Sequence, residues 1–63
     1  MYEVRWTMIN GEDRVDKFTN AHCELAWDWY FLLSNYAQRA TDSASIKHID
    51  KDGSERDLAS WSR

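Results

Sequence analysis

At 63 residues the chain has room for one domain, and a domain this small buries only about 60% of its unfolded surface. Eleven Asp/Glu against eight Lys/Arg, a net charge of −3, supply no basic footprint for phosphate-driven nucleic-acid binding and no acidic run dense enough for a nucleic-acid mimic. One cysteine excludes an internal disulfide and points to a reducing compartment.

No charged, apolar leader opens the sequence, and no stretch is long and apolar enough to span a bilayer. A cytoplasmic protein is expected. Met1 to Ile9 alternates, with Tyr2, Val4, Trp6 and Met8 on one side and Glu3, Arg5 and Thr7 on the other. Period two in aromatic and β-branched residues predicts a half-buried strand. Asn10-Gly11 follows and predicts a two-residue turn with positive φ at both positions. That turn sets Ile9 against Glu12, Trp6 against Val15 and Arg5 against Asp16. Lys17 then faces Val4, and Phe18 has the wrong parity for the strand.

Ala21 to Ala37 is the one long run with helical periodicity, and the rest of the chain is organised around it. At 100° per residue, Leu25, Trp29, Leu32, Leu33 and Tyr36 form the expected core stripe, with Ala26 and Ala37 at its edge. Glu24, Asp28 and Asn35 form the solvated strip. Trp27 and Phe31, four apart, make a second apolar row. Cys23 continues that row and Tyr30 borders both. Thr19 or Asn20 is the expected cap, and fraying is expected from Arg39 to Thr41.

Thr41-Asp42-Ser43 reads as a polar link. Ser45 to Asp50 reads as a third strand and Glu55 to Trp61 as a fourth, joined by a turn at Asp50-Lys51-Asp52-Gly53 with its glycine left-handed. The predicted register pairs Ile46 with Leu58 inside and Lys47 with Asp57 outside, leaving Ile49 and Trp61 outward. The whole is a single α+β domain, residues 1–63: hairpin, helix, hairpin (ββαββ), an antiparallel sheet of about four strands with one helix on one face.

No catalytic, metal or cofactor motif emerges. Cys23 follows His22 near a helix start, where a thiol pKa can fall, but adjacent helical side chains diverge by about 100° and Cys23 reads as a packing residue. His22, His48 and Cys23 lack a zinc spacing. The Asp50 turn matches a calcium loop for three residues only. No small-molecule substrate is evident.

Four Trp, three Tyr and two Phe exceed what so small a core absorbs. A single sheet covers one side of a helix, so the second row needs a loop, the tail or another molecule. Exposed aromatic rows mark interaction surfaces. Trp27, Phe31, Tyr30, Cys23 and Trp61 are therefore the candidate partner-binding residues. The partner is a larger protein or, alternatively, a second copy in a homodimer with a structural or assembly role. Nucleic acid on the outer sheet face, near Arg5, Arg14 and Lys47, is the less favoured reading. In size and layout, short and aromatic-rich with one helix on a small sheet, the chain resembles the host-takeover and anti-defence proteins encoded by phages and prophages. That resemblance implies an inhibitor that sterically blocks a host enzyme or immune complex. It involves no shared motif and assigns no residues.

Overall fold

The computed structural model describes residues 1–35 and 39–63. Along the chain run β1 (Tyr2–Met8), β2 (Asp13–Phe18), a 3-10 turn (Asn20–His22), α1 (Cys23–Asn35), β3 (Thr41–Ile49) and β4 (Glu55–Ser62). The four strands form one antiparallel sheet in the order β2-β1-β3-β4, with α1 packed on one face. This is the ββαββ, α+β arrangement expected from the sequence. β1 and β3 pair at the centre, so the two hairpins lie side by side and β2 and β4 form the open edges. The predicted helix residues Tyr36 and Ala37 lie outside the described residues.

The first hairpin differs from its prediction by one residue. Thr7 pairs with Asp13, Trp6 with Arg14, Arg5 with Val15 and Tyr2 with Phe18. The loop holds three residues, Ile9, Asn10 and Gly11, not two. Met8 accepts from Gly11 N (2.9 Å) and donates to Glu12 O (2.8 Å). Only Gly11, at φ +92°, is left-handed. This is a type I turn closed by a glycine bulge. Asn10 avoids positive φ and instead accepts from Glu12 N through its side chain (3.0 Å).

A one-residue slip turns every β2 side chain to the other face. Phe18 now faces the helix and joins the core, while Val15 is left exposed. The parity conflict at Phe18 was the sequence's own sign of this register.

The second hairpin has the same loop, as predicted. Gly53 sits at φ +88° and donates to Asp50 O (3.0 Å), and Asp50 N donates to Ser54 O (2.8 Å). Asp52 holds Ser54 N (2.9 Å) just as Asn10 holds Glu12 N. Lys47 opposes Asp57 as expected, but a bulge at Leu58 then pairs Ile46 with Ala59 and Ala44 with Trp61. The bulge brings Trp61 to the side of the sheet that faces the helix, not the outward side predicted. Strand β3 also starts earlier than expected. Thr41 is buried rather than frayed, and residues 41–43 are strand rather than link.

Val4, Ala26, Leu33, Ala44 and Ile46 form the core, with Tyr2, Trp6, Phe18, Trp29, Tyr30, Leu58 and Ala59 packed around it. Full burial of Val4 or Ile46 contributes about 1.5–3 kcal/mol each. Here the expected core stripe of the helix is corrected: Ala26 and Leu33 are buried, whereas Leu25 and Leu32 are exposed. The reason is volume. Tyr2, Trp6 and Phe18 already rise from the sheet, and Trp6 meets Trp29 edge-on (centroids 5.5 Å apart, 78°). A small residue, Ala26, is what lets the helix backbone come down among them, because interiors fill to near-crystalline density.

Candidate docking surface

With Ala26 underneath, α1 presents apolar side chains on both flanks of its seat. Leu25 is 54% exposed, Leu32 41%, Trp27 38% and Phe31 54%. Leu25 and Leu32, with half-buried Trp29, overhang Phe18 and Asp16 of β2 and so mark the β2 side. Trp27 and Phe31 lie around the other side of the helix by the 100° repeat. Trp27 meets Tyr30 edge-on (6.0 Å, 88°).

The predicted binding residues therefore divide. Trp27 and Phe31 are exposed one turn apart, as a contact row requires. Tyr30 is half-buried on the core, and burial pushes its phenol pKa up. Cys23 is half-buried and turned to β1. A hydrogen bond with the Cys23 side chain, then burial, raises the Tyr2 phenol pKa. Cys23 is thus a packing group at the start of the helix rather than part of the outer row. Trp61 lies half-buried on edge strand β4, opposite Ala44. Leu25 and Leu32 belong to the surface, although periodicity alone places them in the core. The signal that could have found them is the alanine at position 26, flanked by bulky residues on every side.

The start of the helix is held differently from the predicted cap. Thr19 makes no side-chain cap bond, and its hydroxyl lies 3.0 Å from His22 Nδ1. Asn20 Oδ1 accepts from the Met1 amino group (2.6 Å) and lies 3.2 Å from His48 Nε2. His48, on central β3, packs edge-on against Tyr2 (4.8 Å, 65°). The Trp29 indole N–H is buried with no acceptor among the described residues, a cost of about 1–3 kcal/mol.

The opposite face of the sheet has another character. Glu3 is buried there, 3.0 Å from the Arg5 guanidinium and 3.7 Å from Lys47 Nζ. Lys47 also reaches Glu55 at 2.9 Å, and that hydrogen bond raises the lysine pKa. Arg14 was expected on this face, but the slipped register turns it to the helix side, where it pairs with Glu12 at 2.7 Å. Among the described residues no cluster of three His, Cys, Asp or Glu is placed to hold a metal ion, and no helix is long and apolar enough to cross a membrane. Compared with known proteins, the chain matches no family model, no curated protein and no solved structure.

Proposed function

We propose that the chain is a small non-enzymatic protein-binding module that works by covering a partner's surface, with the Trp27/Phe31 row of α1 as its contact. The observation that carries this reading is that row: two large aromatic side chains, one helical turn apart, exposed on a domain with little core to spare. Aromatic side chains of this kind dominate the energy at interface centres. The resemblance to phage-encoded inhibitors fits the same reading and gives it an activity, steric blocking of a host enzyme or immune complex in the cytoplasm. Phosphate binding fits less well, since Arg5, Arg14 and Lys47 each already face a carboxylate.

A second reading, self-association, draws on the edge strands. β2 carries Asp13, Arg14, Asp16 and Lys17, which discourage strand pairing, whereas β4 from Leu58 to Ser62 carries no charge. An open, uncharged edge beside Trp61 suits a second copy.

One pair of measurements separates the two. Capture of a partner from source cells is compared between the wild type and the Trp27→Ser/Phe31→Ser variant, alongside light scattering of the pure protein. The expected result is a monomer whose variant stays folded and loses the partner. A stable dimer without partner supports the second reading, and a variant that unfolds places both rings in the core.

A further inference from the structure

The β2-side flank of α1 forms a surface distinct from the Trp27/Phe31 row. Phe18, Leu25, Trp29 and Leu32 line a groove of about 510 Å³ between the helix and the edge strand, with Asp16 on its strand wall and Asp28 on its helix wall. Among the described residues neither carboxylate has a salt-bridge partner. Neither nearby cation meets them. Arg14 is paired with Glu12, and Lys17 lies opposite Glu3 on the far face of the sheet. No Lys or Arg occurs between Lys17 and Arg39, so the charges of α1 are acidic throughout, Glu24 and Asp28.

An apolar floor between two unpaired acids selects its occupant. A second copy of this chain docking groove to groove would set acid against acid, and like charges facing across an interface suppress that pairing. We propose that this groove takes a cationic amphipathic segment of a partner protein, apolar side chains on Leu25, Trp29 and Leu32 and Lys or Arg against Asp16 and Asp28. A short helix laid along α1 meets both demands, since one of its faces is apolar and its margins reach the two walls. Binding in the groove does not depend on the Trp27/Phe31 row.

The test is a nuclear magnetic resonance titration of the full chain with a synthetic helical peptide of about four turns, leucine on one face and lysine on the other, and with its glutamate counterpart. The lysine peptide should perturb the signals of Phe18, Leu25 and Leu32 and bind about tenfold or more tightly than the glutamate peptide at low salt. Leu25→Ser/Leu32→Ser should weaken binding about tenfold or more. Asp16→Asn/Asp28→Asn, which alters no core residue, should weaken it about 2–10-fold and flatten its salt dependence. Trp27→Ser/Phe31→Ser should leave it unchanged, which separates this site from the other row. Equal binding of the two peptides would overturn the proposal, as would perturbations centred on Trp27 and Phe31. So would groove signals that shift on simple concentration of the protein alone, the mark of a second copy.

Discussion

The two flanks of α1 carry similar apolar content but differ in what lies beneath them. On the β2 side, Leu25 and Leu32 overhang an edge strand whose helix-facing positions are Arg14, Asp16 and Phe18. An acid-walled groove results. On the other side Trp27 is braced edge-on by Tyr30, which itself packs against the core. One helix thus offers two chemically different surfaces, one walled by the acids of β2 and helix, the other built from aromatic rings alone. The narrow strip between them, Ala26 and Leu33, is what holds the helix down.

If that division is right, substitutions in the strip and the sheet beneath it should far outweigh those on the flanks. Ile46→Ala or Val4→Ala is expected to cost about 2–5 kcal/mol, and Ala26→Leu about 1–3 kcal/mol by overpacking. Leu25→Ala and Leu32→Ala should each stay near 1 kcal/mol or below, since each side chain keeps much of its surface in water. Urea denaturation of the set measures this directly. Equal losses at Leu25 and Ile46 would erase the distinction.

Each hairpin beneath the helix also turns through a single left-handed glycine. Gly11→Ala and Gly53→Ala are expected to cost about 1–2 kcal/mol each, because an L residue is disfavoured at their φ values of +92° and +88°. Neither site is crowded, so the loss isolates backbone conformation. A neutral Gly11→Ala would mean the first loop takes another form and Phe18 another face.

Much of this plan is legible in the sequence. Alternation marked β1, and the Asp50-Lys51-Asp52-Gly53 turn gave the second loop. The helix was evident, but not its rotation. Hydrophobic periodicity weighs each apolar residue by its own burial, whereas Ala26 is inside because Tyr2, Trp6 and Phe18 leave room for nothing larger. Asn10-Gly11 is compatible with two loop lengths, and only the core's claim on Phe18 decides between them. The bulge at Leu58 has no local marker, and it alone reverses the face of Trp61. Thr41 and Ser43 resemble linker residues, yet pairing on β1 draws them into β3.

The smallest expected effect contrasts the two loops. Asn10 and Asp52 hold equivalent amides, but only Asp52 titrates, and its bonds to Ser54 hold its pKa below the usual aspartate value of about 3.9. A carboxylate depressed in the folded state contributes stability above its unfolded value and loses it as pH falls through the folded value. Below about pH 4 the β3–β4 turn should therefore loosen before the β1–β2 turn, and Asp52→Asn should remove that difference. Amide exchange at Ser54 and Glu12 as pH is lowered reads both turns at once.

The most direct test of the account compares three leucines on one helix. A soluble gadolinium chelate added to the methyl-labelled monomer should strongly broaden the signals of Leu25 and Leu32 and spare that of Leu33, which is 4% exposed. Protection of Leu25 and Leu32 in the monomer, or broadening of Leu33, would contradict a helix seated on Ala26 with both its flanks turned outward.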